Sequence, residues 1–414
     1  MAGVVVQKYG GSSLADADAV RRVARRIAAR RNSGDDVVAV VSAMGDQTDE
    51  LTALALEVND RPDRRELDVL LSTGELVSCT LTAMALNALG QPAKSLAGWQ
   101  AGIHTTSRYG RAQISSIDVS PIRRELDSGN IVVIAGFQGI ADDQDVTTLG
   151  RGGSDTTAVA IAAALGAERC EIYTNVDGIY TADPKFVPAA HKLDEIGFEE
   201  MLEMASYGAK MQPRAVELAM VYNVPTYVAS SFTETPGTLI HEGADNMDEN
   251  IDGDRVGEVR KKVRGIATDK GFVKITMLGV PDRPGLAARV FEPLSAADVS
   301  VDEIVMNAGS DAVTDFTFTV TGADLERALE VVQPMTEEMG GRGVVSTGGL
   351  AKVSIVGTGM RDEPGYASRM FGALAEHGIN IELITTSEIR ITCIVSERHV
   401  GDAARALHAV FELG

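Results

Sequence analysis

The stretch that decides the fold stands near the start of the chain, Val4-Val5-Val6-Gln7-Lys8-Tyr9-Gly10-Gly11-Ser12-Ser13. An apolar strand leads into two glycines, where no side chain shields the backbone N–H groups, and then into hydroxyl residues that can cap a helix. Bare N–H groups beside the ammonium of Lys8 form an arrangement that suits a phosphate. The other interpretation of the same residues is a tight turn from strand to helix with a lysine on the surface.

Strands and helices alternate outward from this turn as far as about residue 230. Residues 37–41 and 131–135 are continuous apolar runs, typical of parallel strands that are buried on both faces. The alternation predicts an α/β sandwich of three layers with a mainly parallel sheet. Ligands of such sheets bind at the carboxyl ends of the strands, and the loops at 42–45 and 150–155 fall at that edge.

Three helical patterns lie between these strands. Residues 51–58 and 66–89 predict helices, interrupted by a loop at 61–63 and by Thr73-Gly74-Glu75, because a glycine inside a helix costs stability. Residues 156–165 are alanine-rich and apolar all round, which predicts a helix buried against the sheet.

Composition limits the class of protein. The 44% hydrophobic content of the 414 residues predicts a globular chain of two or three domains. The formal net charge of −21, from 59 acidic and 38 basic residues, argues against nucleic acid as a partner. Cys79, Cys170 and Cys393 lie far apart in apolar surroundings, which is typical of reduced core residues and not of a zinc site. The start of the chain has no signal-sequence pattern and we expect no run long enough to span a bilayer, so we expect a cytoplasmic protein without a membrane partner.

An internal repeat follows a polar, charged linker at 242–265. Eight residues recur at an offset of 80: Val273, Ile275, Asp282, Pro284, Gly285, Arg289, Phe291 and Leu294 return as Val353, Ile355, Asp362, Pro364, Gly365, Arg369, Phe371 and Leu374. Each copy begins with a strand and an Asp-x-Pro-Gly turn into a helix. The pattern predicts two ferredoxin-like βαββαβ units, at 266–346 and 347–414.

These motifs, in this order, resemble the aspartate kinase family. The resemblance is carried by the opening turn, Thr73-Gly74-Glu75, the loop 150–155, the segment 174–184 and the repeated Asp-x-Pro-Gly units. It implies an amino-acid-kinase domain at 1–241 followed by two ACT domains. It also implies transfer of the γ-phosphoryl of ATP to the β-carboxylate of L-aspartate, giving 4-phospho-L-aspartate, the first step of lysine, threonine and methionine biosynthesis.

Such a reaction needs no general base, because a carboxylate nucleophile is already ionised at neutral pH. The site must instead bring two anions together, a task for cations, N–H groups and Mg²⁺. Two unit charges at ~4 Å repel by roughly 4 kcal/mol at an effective dielectric of 20, so a few well-placed cations are decisive.

The resemblance assigns the phosphate contacts to the first loops. Lys8 would bridge the transferring phosphoryl, Gly10 and Gly11 would donate N–H groups beside Tyr9, and Ser42 would add a hydroxyl. Asp155 would orient Lys8 by charge pairing, or cap the helix that follows, and the two roles are compatible.

Aspartate recognition is assigned to the next loops. Arg151 would bind the α-carboxylate with two parallel hydrogen bonds, the alternative being a surface arginine. Glu75 with Thr48 would accept from the α-amino group, although a glutamate at the start of a helix is the plainer interpretation. Ser154 would touch the substrate.

The segment 174–185 resembles the nucleotide loop of the family. Thr174, Asn175 and Tyr180 would lie near the adenosine, and Lys185 near phosphate where many members have arginine. Lys210 with Met211 resembles a further nucleotide motif, the alternative for Lys210 being an exposed helical lysine. There is no GxxxxGK[ST] motif, and without a carboxylate cluster we expect ATP oxygens and water to hold Mg²⁺, with no metal site made by the protein.

The repeat pair resembles a feedback sensor for threonine, lysine or both. Its expected ligand residues are Asp282, Gly285, Met306, Asn307, Asn380, Ile381 and Glu382, the alternative being duplicated packing without a ligand. The resemblance further implies a homo-oligomer, or a heterotetramer with an ACT-only subunit if Met247 is an internal start. Two other functions stay open: another amino-acid kinase such as glutamate 5-kinase, and a non-catalytic amino-acid sensor.

Overall fold

The computed structural model describes residues 3–243, 263–306, 312–360 and 364–414. The chain divides into two compact units, Met1–Tyr180 with Lys192–Arg260, and Thr181–His191 with Lys261–Gly414. Residues 181–191 therefore belong to the second unit, although residues of the first unit precede and follow them.

Strands and helices alternate along most of the first unit. In chain order they are β1 (Val4–Tyr9), α1 (Ala17–Asn32), β2 (Asp36–Val41), α2 (Gln47–Val58), α3 (Arg64–Ala88), β3 (Ala93–Leu96), β4 (Ile103–Thr105), β5 (Ile114–Ile117), α4 (Ser120–Asp127), β6 (Ile131–Ala135), β7 (Gln138–Ile140), β8 (Val146–Thr148), α5 (Gly153–Leu165), β9 (Arg169–Thr174), β10 (Glu195–Gly197), α6 (Phe198–Ser206), α7 (Pro213–Val221), β11 (Thr226–Ser230) and β12 (Thr238–His241).

An eight-stranded sheet forms the centre of this unit, in the order β10-β12-β11-β9-β1-β2-β6-β3. Its neighbouring strands are parallel except for β11 with β12. Helices α1 and α3 pack on the face that carries Tyr9, in a cluster with Ile27 and Cys79. Alternate strand residues point to opposite faces, and Lys8 accordingly reaches α5 on the other face. The predicted three-layer sandwich is confirmed.

Helix α3 differs from the sequence prediction in two ways. It runs unbroken from Arg64 to Ala88, so Thr73-Gly74-Glu75 does not interrupt it. Gly74 is needed instead for close packing, since a Cβ there would lie 2.9 Å from the Cβ of Ala43. By length and composition alone α3 could cross a membrane, contrary to our expectation from the sequence, but half of its apolar window is buried inside the unit, and core helices pass the same test.

The second unit contains further strands and helices beside residues 181–191. They are β13 (Gly265–Pro281), α8 (Leu286–Ala296), β14 (Ile304–Met306), β15 (Val313–Thr321), α9 (Leu325–Glu338), β16 (Gly343–Val356), α10 (Tyr366–Glu376), β17 (Leu383–Thr386), β18 (Arg390–Ser396) and α11 (Val400–Val410).

These strands form one six-stranded sheet, in the order β14-β15-β13-β16-β18-β17. The two long central strands each serve both repeats. Residues 272–281 of β13 pair with β15, and 343–347 of β16 pair with them from the other side. Residues 265–270 of β13 pair with 351–356 of β16, which in turn pair with β18. The stretch 265–270, which the sequence places at the end of the linker and the start of the first repeat, therefore supplies a strand to the second.

Each repeat has its own core, and in each a glycine directly precedes the first helix. Helices α8 and α9 cover the first repeat, and α10 and α11 the second. Gly285 and Gly365 lie directly before α8 and α10 with φ of 91° and 111°, a backbone conformation that favours glycine. The structure thus confirms two duplicated units, while the domain boundaries stay a prediction.

Candidate active site

The site begins where the central strands of the first unit end. Tyr9 is in register with Val41 and Tyr173, and Val41 with Ala135. Gly10, Ser42 and Gly136 consequently leave the sheet at one edge, and Thr174 ends β9 at the same edge. This is the carboxyl edge at which such sheets bind ligands.

Lys8 and Asp155 form the charged centre of this edge. Lys8 Nζ lies 2.6 Å from Asp155 Oδ1, and the two side chains are only 11% and 13% exposed. The residue that caps α5 is Gly152, without a side-chain hydrogen bond, so Asp155 pairs with the lysine and does not cap the helix. Lys8 Nζ also lies beside the glycine turn, 3.4 Å from where a Cβ on Gly10 would stand.

The glycine pair packs backbone against backbone with the loop after β2. Gly45 N–H donates to Gly11 O at 3.0 Å, and a Cβ on Gly11 would lie 2.7 Å from Gly45 O and 2.9 Å from Ala43 O. Gly10 N–H points to Tyr173 O at 3.4 Å, a long bond that leaves it open to a better acceptor. Gly11 is therefore required by packing, whereas a side chain on Gly10 would meet only the ammonium of Lys8.

The ring of Tyr9 lies away from this edge. It is fully buried and stacks on Tyr173 with ring centroids 5.0 Å apart. Any contact of Tyr9 with a nucleotide must therefore come from its backbone, whose carbonyl accepts from Ser42 N–H at 3.0 Å.

Glu75 brings a buried carboxylate to the same loops. It is 3% exposed, its Oε1 accepts from Ala43 N–H at 3.1 Å, and its Oε2 has no hydrogen-bond partner among the described residues. Burial raises the pKa of Glu75 to about 7, against the opposing effect of the Ala43 N–H. A buried carboxylate with an unused oxygen is suited to an ammonium ligand.

Ser154 and Arg151 approach from the loop before α5. Ser154 is 6% exposed, and its Oγ lies 2.9 Å from where a Cβ on Gly136 would stand, at the end of β6. The side chain of Arg151 is 94% exposed, and its Nη2 lies 3.4 Å from Asp49 Oδ1 on α2, next to Thr48. In this state Arg151 is a surface arginine beside the first turn of α2, which carries Thr48.

The segment that carries Lys210 and Met211 is tied to the Arg151 loop. Gln212 Nε2 donates to Arg151 O at 2.9 Å, and a Cβ on Gly152 would lie 2.8 Å from the Gln212 side chain. Met211 is buried and Lys210 is exposed. The structure therefore places the second nucleotide motif beside the loop assigned to aspartate.

The other residues assigned to the nucleotide are divided between the two units. Thr174 ends β9 at the site edge, its Oγ1 lies 3.4 Å from Asn175 Oδ1, and Tyr180 bridges to Lys192 in the first unit. Lys185 lies in 181–191 and so belongs to the second unit, where its N–H donates to Asp183 Oδ1 at 2.9 Å.

Sequence reasoning missed three residues around this site. Asp68 is 1% exposed and accepts from Gly110 N–H and from the N–H and hydroxyl of Thr148, fixing the loop that packs against Gly150. Ser231 Oγ lies 2.7 Å from Ser13 Oγ and also bonds Thr174 O, and Phe137 has a φ of 68°. Ser231 and Phe137 follow the carboxyl ends of β11 and β6, a signal that could have revealed both, whereas no signal marked Asp68.

The residues expected to bind an effector are spread over the second unit. Glu382 Oε2 pairs with Lys274 Nζ at 2.7 Å, which lowers the pKa of Glu382, and Asn380 donates to Glu382 Oε1 at 3.2 Å. Met306 is half exposed on the edge strand β14, and Ile381 packs on the second core. Asp282 N–H donates to Ala312 O, and Gly285 forms the turn before α8. Asn307 and Met247 lie outside the described residues.

A mainly parallel sheet with glycines and a Lys8–Asp155 pair at its ligand edge, joined to duplicated βαββαβ units, defines a class of protein. Residues 3–230 match the amino acid kinase family, and residues 274–333 and 353–411 each match an ACT domain. The class is thus an amino acid kinase with ACT domains.

Individual relatives narrow the class. The aspartokinase of Corynebacterium efficiens is 48% identical over 417 residues, covering 99% of this chain and 96% of the relative. The crystal structure of E. coli aspartokinase III with aspartate and ADP is similar with a TM-score of 0.78 at 27% identity, covering 98% and 99% of the two chains. The same enzyme with lysine and aspartate gives a TM-score of 0.71 at 27% identity, with the same coverage. The chain belongs to the aspartokinase family.

Proposed function

We propose that this chain is an aspartate kinase, which transfers the γ-phosphoryl of ATP to the β-carboxylate of L-aspartate. The observation that carries the proposal is the pairing of Lys8 with Asp155 at the sheet edge, with buried Glu75 on the adjoining loop. The product would be 4-phospho-L-aspartate, the first intermediate toward lysine, threonine and methionine.

Lys8 supplies the charge that lets the two anions meet. Its ammonium is ion-paired with Asp155, which would fix its position, and it has three N–H donors to offer to phosphoryl oxygens. Gly10 N–H and the Ser42 hydroxyl lie on the same edge and can add neutral donors. The attacking carboxylate needs no base, so these residues act by orientation and by balancing charge.

Glu75, Thr48, Ser154 and Arg151 would hold aspartate. Glu75 accepts from its ammonium, and Ser154 lies close enough to the strand ends to donate to a carboxylate. Arg151 would swing from Asp49 onto the α-carboxylate and bind it with two parallel bonds. These contacts fix the distance between the ammonium and the reacting carboxylate, and so would favour aspartate over glutamate.

ATP would bind to the residues that the resemblance assigns to the nucleotide. They are Tyr9, Gly10, Gly11, Ser42, Thr174, Asn175, Tyr180, Lys185, Lys210 and Met211. E. coli aspartokinase III was solved with ADP, which supports ATP as the donor. Among the described residues, no group of three His, Cys, Asp or Glu side chains is placed to hold a metal. Mg²⁺ would therefore be held by phosphate oxygens and water, and when bound it would offset phosphate charge.

The repeat pair would make the enzyme a feedback-inhibited oligomer. Lysine in the E. coli enzyme supports an amino-acid effector, and we propose threonine, lysine or both, acting near Asp282, Gly285, Met306, Asn307, Asn380, Ile381 and Glu382. A coupling on the order of 1–3 kcal/mol is expected. The assembly would be a homo-oligomer, or a heterotetramer with an ACT-only subunit started at Met247, in the cytoplasm.

Acyl phosphate trapped as a hydroxamate tests the activity. Purified protein with ATP, Mg²⁺ and aspartate, with threonine and lysine absent, should give aspartyl hydroxamate, and glutamate in place of aspartate should give far less. Product with glutamate alone would point to a glutamate kinase. Nucleotide binding without any hydroxamate would point to a non-catalytic sensor.

A further inference from the structure

Thr181 is the point at which the nucleotide segment enters the second unit. It is 2% exposed, and every polar atom it has is hydrogen-bonded. Its N–H donates to His191 O at 3.0 Å, its carbonyl accepts from Ile266 N–H at 2.7 Å, and its hydroxyl meets three groups. Such saturation is unusual for a loop residue, because loops normally use water for these bonds.

The hydroxyl of Thr181 has one arrangement that satisfies all three groups. It donates its proton to Leu413 O at 3.2 Å and accepts from His191 N–H at 3.2 Å. His408 Nε2, 3.0 Å away, must then carry a proton and donate as well. His408 is 3% exposed, and burial, with His191 nearby, lowers its pKa, so the neutral ring with the proton on Nε2 is the form that fits.

The rest of the segment is built into the core of the second repeat. Ala182 and Val187 are each 3% exposed and lie in the same apolar cluster as Leu407 of α11. From α11, Arg405 Nη1 donates to Phe186 O at 2.9 Å. Residues 181–191 are thus held at their start by His408 and along their length by α11.

The residues on either side of this anchor are the ones assigned to the nucleotide. Tyr180 directly precedes Thr181 and pairs with Lys192 in the first unit, and Thr174 lies at the candidate site edge. Lys185 follows Thr181 by four residues. A position fixed at Thr181 therefore limits where both Tyr180 and Lys185 can lie.

We infer that Thr181 and His408 are positioning residues for the nucleotide, by which the last helix of the second repeat holds the segment 180–185 in its ATP-binding conformation. The inference rests on the proposed function for the identity of the nucleotide. Releasing the anchor would leave the segment to be ordered on binding, so the loss falls on ATP and not on aspartate.

The test compares Thr181→Val with Thr181→Ser in the full-length protein. Valine has the shape of threonine without the hydroxyl and leaves His408, His191 and Leu413 without their shared partner, whereas serine keeps it. In Thr181→Val we expect the Kd for ADP, by titration calorimetry, and the KM for ATP to rise about tenfold with the KM for aspartate unchanged, because only the nucleotide segment must be ordered. Thr181→Ser should stay within about twofold of wild type, since it keeps the hydroxyl.

Arg405→Met supplies a second variant if Thr181→Val does not fold. Arg405 is about half exposed, so its loss spares the core, and we expect a rise of about threefold in the Kd for ADP because one bond to the segment is lost. Arg398→Met, on an exposed arginine of the same unit, is the matched control and should leave the Kd unchanged.

A folded Thr181→Val with the ADP affinity of wild type overturns the inference, and so does an equal rise in both KM values. An unchanged Kd in Arg405→Met overturns it when Thr181→Val is unfolded. If the wild-type protein binds ADP but forms no aspartyl hydroxamate, only the proposed function is contradicted, because the ADP titrations still test the inference. Wild type that binds no ADP defeats both.

Discussion

The candidate site has a buried half and an exposed half. In the buried half Lys8 and Asp155 hold each other at 11% and 13% exposure, and Glu75 is fixed by Ala43 N–H. In the exposed half Arg151 is 94% exposed and Lys210 lies on the surface. Under the proposed function, the charges for phosphoryl transfer are set by the fold, whereas the contacts to the substrate's outer groups form on binding. The two halves should therefore respond differently to substitution.

The largest effect is expected from Lys8→Ala, in the buried half. It removes the cation that offsets phosphoryl charge, and kcat in the hydroxamate assay should fall by about 10³-fold. Lys94 is exposed on β3, and Lys94→Ala is the control that should leave kcat unchanged. Near-normal kcat in a folded Lys8→Ala protein would show that the buried pair is structural only.

A smaller loss is expected from Glu75→Gln. Loss of a charge-assisted bond to the substrate ammonium should raise the KM for aspartate by about tenfold to a hundredfold at pH 8. In wild type this KM should fall as the pH rises through about 7, because Glu75 must ionise, and the variant should lose that dependence. Glu66→Gln, exposed on the same helix, is the control. A wild-type KM that is flat between pH 6 and 8 would contradict the role.

Arg151 tests the exposed half. Arg151→Met should raise the KM for aspartate by about tenfold, and Arg151→Lys by less than this, because lysine keeps the charge and loses the paired bonds. The melting temperature should not change, since the side chain contacts almost nothing but Asp49. Arg108→Met, another exposed arginine, is the comparison. A drop in melting temperature would mean that the Arg151 side chain makes stabilising contacts in solution.

The smallest effect is on the stability of the protein without substrates. The folded pKa of Glu75 is about 7 and its usual value is 4.5, so the native state binds more protons than the unfolded state between these values. The free energy of unfolding should fall as the pH rises from about 4.5 to about 7, by at most about 3 kcal/mol. Denaturant titrations of wild type and Glu75→Gln should differ in this slope. If the free energy of unfolding changed with pH in the same way in both proteins, the pKa of Glu75 would not be raised, which would mean that water or a bound ion reaches its carboxylate.

Local pattern was enough for the architecture of the first unit. Strand 4–9 ending in two glycines, and the buried strands beside it, fix a parallel sheet and its ligand edge, because the carboxyl ends must coincide. The same pattern brought Lys8, Ser42 and Thr174 to one edge. Assigning Glu75 to the site depended on the family resemblance, since its residues alone suggested only the start of a helix.

Other features depend on contacts that no local pattern carries. Gly74 predicted a break, but its helix continues because the missing side chain makes room for Ala43. The pattern at 265–270 indicated the linker and the first repeat. These residues pair instead with 351–356 and so belong to the sheet of the second repeat, because the partner decides to which repeat a strand belongs. Asp68 and Thr181 bond to groups 42 to 232 residues away, which no spacing rule reveals.

The placement of residues 181–191 bears on any shorter product that begins at Met247. Such a polypeptide would retain the whole six-stranded sheet, because β13 begins at Gly265. It would nevertheless lack Ala182 and Val187, which pack in the core of the second repeat, and Thr181, which hydrogen-bonds to His408. The short form would thus carry an apolar gap along α11, and a regulatory subunit made this way could not be a simple copy of the second unit.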